Sequence, residues 1–259
     1  MQQIEKALAR AREMRSGTYA GGAVNGRGPA AGNGVAPQYT ETLVAQGDKR
    51  RMAQERLMVE GVDHPAAEIY GLLRTQVLQR MKKNNMSTLA VTGPARGSGV
   101  TTTAANLAIA IALDVNQTVL LVDLNLRAPA IHEKFGLEPR AGINDYLHGT
   151  AQLKDCLVTP SMRRLVILPA RTVKGETAEM ISAPRMTALA RELRGRYADR
   201  IIIYDTPPLL ASSDTLGFLP NVDAVLLVAR SRQTTKAQLD KSAHLLGNKA
   251  IVGTLLNAH

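Results

Sequence analysis

Six short apolar runs punctuate the chain from its second third onward: TLAVTG (88–93), TVLLVDL (118–124), RLVILPA (164–170), RIIIYDT (200–206), DAVLLVA (223–229) and IVGTLL (251–256). Their apolar residues follow one another instead of alternating with polar ones, the pattern of strands covered on both faces. Between the runs, helical periodicity appears at 101–113, 184–197 and 234–246. Residues 66–83 carry Ile69, Leu72, Leu73, Val77 and Met81 at helical intervals before a basic end. Strands separated by helices predict an α/β fold, a three-layer sandwich around a mostly parallel central sheet. Its ligand should sit at the carboxyl ends of the strands.

Upstream the pattern changes. Residues 2–15 place Ile4, Leu8, Ala11 and Met14 at helical spacing among Lys6, Arg10, Arg12 and Arg15. This is a short amphipathic basic helix, suited to its own domain's surface, a partner or an anionic membrane. Residues 16–38 are dominated by Gly, Ala, Asn and Pro without periodicity, a composition that buries too little apolar surface to offset its ordering entropy. The expected organisation is an N-terminal helix over 1–15, a flexible linker with a short helical segment over 16–62, and one domain over 63–259.

Composition narrows the functional classes. The 259 residues are 45% hydrophobic, enough for a sizeable core, and only 3% aromatic with no Trp, which argues against reading single strands by base stacking. A net charge of +10 favours anionic partners without choosing among nucleic acid, nucleotide and membrane. The lone Cys156 excludes an intramolecular disulfide, and no secretory apolar region follows the start, so a reducing cytoplasm is expected. No apolar run approaches the roughly 18 residues a bilayer crossing requires. His64, His132, His148, His244 and His259 show no metal-ligand spacing with one another or with Cys156.

Candidate chemistry begins where the first run enters GPARGSGVTTTAANLA, a glycine-rich string between a strand and a helix. Gly93, Arg96, Gly97, Ser98, Gly99, Val100, Thr101 and Thr102 then form a candidate nucleotide-binding loop, with backbone N–H groups converging on phosphate. Thr101 falls where a P-loop supplies its Mg²⁺ hydroxyl, but Val100 occupies the lysine position of G-x-x-x-x-G-K-[ST]. Two further runs end in carboxylates, Asp123 in VLLVDLNLRAP and Asp205 in IIIYDTPPLLASSD. Beside a P-loop these are placed to manage Mg²⁺ and an attacking hydroxyl or water. Ser212, Ser213 and Asp214 have no paired His and read as a helix cap.

The spacing of these three strings resembles the bacterial tyrosine kinases of capsule and exopolysaccharide synthesis. They belong to the deviant-Walker P-loop class that also holds the partition and division-site ATPases. The resemblance spans about residues 63–256, including EIYGLLRT, GINDYLHGTAQLKDCL and SAPRMTALARELR, and the N-terminal helix and linker resemble the stand-alone form of these kinases. It implies ATP or ADP with Mg²⁺ as cofactors, Thr101, Asp123 and Asp205 as metal residues, Asp123 and Asp205 as catalytic ones, and Glu68 and Arg74 as oligomer contacts.

The chain departs from the family pattern at several points. Val100 replaces the lysine, Asn125 the second aspartate of the second motif, and Gly71 the first arginine of E-x-x-R-x-x-R. The sequence ends at Asn257, Ala258 and His259 without a tyrosine cluster. Losing the lysine removes a charge-assisted phosphate contact worth on the order of 3 kcal/mol in the transition state. Asn125 offers Mg²⁺ no negative charge. Arg96 is the one loop residue that could substitute.

The expectation is therefore a degenerate, non-catalytic or weakly catalytic regulator or scaffold of exopolysaccharide synthesis and export, with weak or absent nucleotide binding. It would be cytoplasmic and peripheral at the inner membrane, docked on a membrane-embedded polysaccharide chain-length regulator (co-polymerase) or on an active kinase, and able to form a homo-oligomer. Peripheral membrane contact would run through the N-terminal helix, and no specific nucleic acid is expected. An active ATP-dependent protein-tyrosine kinase and a positioning ATPase of the partition class are the alternatives. Ala95 stands where the partition class has its signature lysine.

Overall fold

The computed structural model describes residues 43–59, 61–114, 117–173, 175, 177–196 and 200–258. The helix expected over 1–15, the linker over 16–38 and His259 lie outside them. All six apolar runs are strands: β2 Thr88–Thr92, β3 Thr118–Asp123, β5 Leu165–Leu168, β6 Arg200–Asp205, β7 Ala224–Arg230 and β8 Ala250–Asn257. Two-residue strands β1 Leu43–Val44 and β4 Val158–Thr159 complete a sheet in the order β1-β4-β5-β3-β6-β2-β7-β8. Only β4 against β5 runs antiparallel; the remaining pairs are parallel. The expected mostly parallel α/β sandwich is the observed one.

The pleat explains why continuous apolar runs were needed. Successive side chains of a strand point to opposite faces, and here both faces are covered. Leu89 and Val91 of β2, Val119 and Leu121 of β3, and Ile201 and Ile203 of β6 face the layer holding the helices Lys49–Gln54, Ala67–Lys83, Val100–Ala112 and Ile131–Phe135. Their neighbours Ala90, Leu120, Val122, Ile202 and Tyr204 face the layer that includes Pro184–Gly195 and Lys236–Leu246. Beyond its first turn, where Thr101 and Thr102 are half-buried, the Val100–Ala112 helix is buried on all sides, which accounts for its Ala- and Ile-rich composition. Ala67–Lys83 anchors by Val77 and Met81, whereas Ile69 and Leu72 of the expected apolar stripe face solvent. Among the described residues no helix is long and apolar enough to cross a membrane.

The domain's packing begins upstream of residue 63. Residues 43–59, which composition places in the linker and its short helical segment, contribute Met52, Leu57, Met58 and Val59 to the first core. Asp48 caps the Lys49–Gln54 helix by accepting from Arg50 N at 2.8 Å, and its own N–H donates to Phe135 O at 3.0 Å. Buried Asn106 ties the segment down, its Oδ1 accepting from Met58 N at 2.7 Å and its Nδ2 donating to Arg56 O at 2.9 Å. The short apolar content of 43–59 carries no strong periodicity, so only its tertiary contacts reveal it as domain.

If this segment is part of the fold, Leu57→Ala should lower stability by about 2–5 kcal/mol, the usual range for a fully buried leucine, read from the urea midpoint. A midpoint unchanged from wild type would show the segment to be detachable.

Candidate phosphate-loop site

Strand β2 ends at the centre of the sheet between β6 and β7, and the loop that follows starts the Val100–Ala112 helix. Gly93 is held by crowding: a Cβ there would lie 2.6 Å from the Val228 carbonyl. Gly97 and Gly99 have φ of +77° and +85°, the left-handed region that glycine tolerates. The loop carbonyls are turned toward the protein. Gly93 O accepts from Leu209 N at 2.9 Å, Pro94 O from Leu210 N at 3.2 Å, and Ala95 O from Ser98 Oγ at 2.8 Å. Gly97 O accepts from Arg230 Nη1 at 3.3 Å, Ser98 O from Asn257 Nδ2 at 3.2 Å, and Gly99 O from Thr103 N at 2.9 Å. In a trans peptide the carbonyl and the following N–H point in opposite directions, so carbonyls turned toward the protein leave the following N–H groups facing the open side of the loop.

Parallel register delivers the carboxylates. Asp123 is opposite Asp205 in the β3–β6 ladder, and Asp205 is opposite Val91 in the β6–β2 ladder, one step from the loop. Both are fully buried. Asp123 Oδ1 accepts from Asn125 N at 3.1 Å, and its Oδ2 accepts from Ala130 N at 3.0 Å and Ile131 N at 3.1 Å. Burial nevertheless outweighs these three bonds and pushes its carboxyl up to about 7. Asp205 is raised well above the ordinary carboxylate range by burial and then by the neighbouring Asp123 charge. The Thr101 hydroxyl and the Lys134 charge oppose that shift. Neither Asp205 oxygen has a hydrogen-bond partner of good geometry.

A buried carboxylate without a partner, beside a threonine hydroxyl and a glycine cradle rich in inward N–H groups, fits Mg²⁺ held together with phosphate. Thr101 and Thr102 sit half-buried in the first helical turn, and Ser98 is buried. Val100 brings no charge to the cradle: its apolar side chain is buried with the first core, and its Cγ2 lies 3.0 Å from where a Cβ on Gly93 would be. Arg96 is exposed on the loop, and half-buried Asn125 contributes its backbone N–H to Asp123. The turn after β6 is locked to the base of the loop by Thr92 Oγ1 and Thr215 Oγ1, both donating to Pro207 O, and by Thr206 N donating to Val91 O.

The remaining candidates are dispersed. Glu68 is exposed in the first turn of Ala67–Lys83, while Arg74 Nη1 donates to Ala110 O at 3.1 Å within the chain. Ser212, not Ser213, accepts from Asp214 N. Buried Asp214 accepts from Thr177 Oγ1 at 2.9 Å and pairs with Arg127 at 3.4 Å. Sequence reasoning missed Lys134, Arg230 and Asn257. Lys134, on the short helix after the second motif, pairs with Glu55 at 2.8 Å and lends charge to Asp205. Arg230 and Asn257 end strands distant in sequence, and no local signal marks them.

The two raised carboxyls make the ligand-free protein sensitive to pH. Their folded-state values lie above the ordinary value of about 4, so the folded state binds more protons and stability falls as pH rises from about 4 through about 7. Asp205→Asn should flatten that decline in thermal melts at pH 5 to 8 without Mg²⁺. Identical slopes for wild type and variant would refute the buried-pair assignment.

Comparison with known proteins follows the same lines. No protein-family model matches the chain. Tyrosine-protein kinase YwqD of Bacillus subtilis is 31% identical over 194 residues, which cover 74% of this chain and 80% of that protein. The chain spans only 26% to 30% of the length of the longer curated relatives. The solved kinase domain of VpsO aligns with a TM-score of 0.67 and 30% identity, covering 74% of this chain and 96% of that one. The septum site-determining protein MinD of Pyrococcus horikoshii, solved with Mg-ADP, aligns with a TM-score of 0.56 at 24% identity, covering 66% of this chain and 69% of that one, and so shares the P-loop fold. With its glycine loop, two strand-end carboxylates and sustained identity to YwqD, the chain belongs to the bacterial tyrosine-protein kinase family.

Proposed function

We propose that this chain is a degenerate member of its family, a regulator or scaffold of exopolysaccharide synthesis and export that binds ATP or ADP with Mg²⁺ weakly and transfers phosphoryl poorly. The observation that carries this reading is Val100. At the position where a lysine would reach the β and γ phosphates, an apolar side chain packs into the core, while the loop, Thr101, Asp123 and Asp205 keep a phosphate-binding arrangement. Bound Mg²⁺-ATP would supply the transferable phosphoryl group. The chain's own contribution is the N–H cradle of residues 97–101, the Thr101 hydroxyl, and two carboxylates whose burial a divalent cation would relieve. Asn125, where a second carboxylate is expected, brings only a neutral amide to the site. Solved relatives such as MinD with Mg-ADP support the cofactor assignment.

In this reading the partner is a membrane-embedded polysaccharide chain-length regulator or an active kinase, and the chain is cytoplasmic, held at the inner membrane through that partner. Exposed Ile69 and Leu72 beside Glu68 are consistent with a contact face on the Ala67–Lys83 helix. A second reading, an active tyrosine kinase, is favoured by the exposed guanidinium of Arg96 on the loop, which could supply the missing charge. The positioning-ATPase reading loses ground to the family assignment.

Calorimetric titration with Mg²⁺-ATP and a phosphotyrosine blot decide between the first two. Wild type should bind weakly and give no phosphotyrosine, and Val100→Lys should tighten ATP binding about 10- to 100-fold, the worth of one charge-assisted bond. Robust phosphotyrosine formation by wild type, or no gain from lysine, would favour the active kinase.

A further inference from the structure

We infer that Arg230 and Asn257 form a clasp that presets the phosphate loop for polyphosphate in the absence of the lysine; this rests on the nucleotide-site reading above. The two residues are cross-strand partners at the carboxyl ends of β7 and β8. Each donates to a carbonyl of the loop, Arg230 Nη1 to Gly97 O at 3.3 Å and Asn257 Nδ2 to Ser98 O at 3.2 Å. Pinning these two successive carbonyls on the β7–β8 side turns the N–H groups of Ser98 and Gly99 the other way, into the concavity. An anion then meets donors already aimed at it, so less conformational freedom is lost on binding.

The pairing that makes the clasp depends on an irregularity. Between Val225 and Leu226 the register shifts: Val225 faces Ile251, whereas Leu226 faces Gly253. Were the ladder to run on unshifted, with Val252 opposite Leu226, Arg230 would face Leu256, an apolar side chain with nothing to donate. With it, Asn257 stands beside Arg230, and its backbone carbonyl accepts from Ser231 N at 2.7 Å. Arg230 is itself anchored, its N–H donating to Thr234 Oγ1 and its carbonyl accepting from Thr234 N, each at 2.8 Å. The loop is shaped to receive the clasp. A Cβ on Gly99 would collide with the Asn257 amide, and one on Gly97 would lie 3.4 Å from Arg230 Nη1. Arg230 also brings a positive charge to the loop's rim.

The test titrates the full chain with Mg²⁺-ATP and with inorganic triphosphate, which removes any contact to a base or ribose, and follows thermal melting of the ligand-free protein in parallel. Arg230→Ala and Asn257→Asp should each weaken both ligands about 3- to 10-fold, the worth of one lost preorganising bond, while the melting temperature barely moves. Arg230→Lys, which keeps a cationic donor, should restore most of the affinity. If wild type binds both ligands and the variants bind equally well, the clasp is overturned and the nucleotide site stands. If wild type binds neither, the nucleotide reading itself fails and the clasp with it. Affinity lost only in step with thermal stability, without rescue by lysine, makes the two residues structural supports and overturns the clasp.

Discussion

The parallel register of β3, β6 and β2 is the constraint on which the site depends. In a parallel sheet all carboxyl ends emerge on one edge, so residues closing separate apolar runs arrive side by side without local sequence contact. Here that edge sets Asp123 opposite Asp205, and Asp205 one step from the glycine loop. Covering both faces makes the register hard to slip, because a one-residue shift would exchange the side chains of the two cores. The same burial strips water from both carboxylates and raises them.

The tension at this site is electrostatic. Two buried carboxylates are costly unless cations or donors offset them. Asp123 is met by three backbone N–H groups, but Asp205 has only a nearby threonine and the charge of Lys134. In a complete P-loop a lysine adds positive charge at this point, and here Val100 turns that position over to the hydrophobic core. In the proposed reading the loop and carboxylates keep a geometry for holding phosphate while the charge that would drive its transfer is reduced, which suits binding and signalling more than turnover.

Much of the fold was legible from pattern. Six strands and the helices between them follow from apolar runs and periodicity, because burial on two faces leaves no freedom to alternate polar residues. The positions of the loop, Thr101 and both carboxylates were legible because each stands in a short motif next to a strand. Residues 43–59 were not, since their few apolar positions are too sparse for periodicity and gain meaning only against Asn106 and Phe135. The Ala67–Lys83 helix was legible as a helix, but periodicity could not say that Ile69 and Leu72 would remain uncovered.

By itself the sequence determined the class of fold, the place of the glycine loop, the strand-end carboxylates and the absence of a lysine at position 100, because each is a matter of residue type at fixed local spacing. Only the tertiary structure decided that Val100 packs with the first core, how deeply Asp123 and Asp205 are buried, and that Arg74 Nη1 bonds Ala110 O in the same chain. It alone decided that the register shift past Val252 in β8 sets Asn257 beside Arg230 at the loop. Those outcomes depend on register and packing between segments far apart in the chain, which no local pattern encodes.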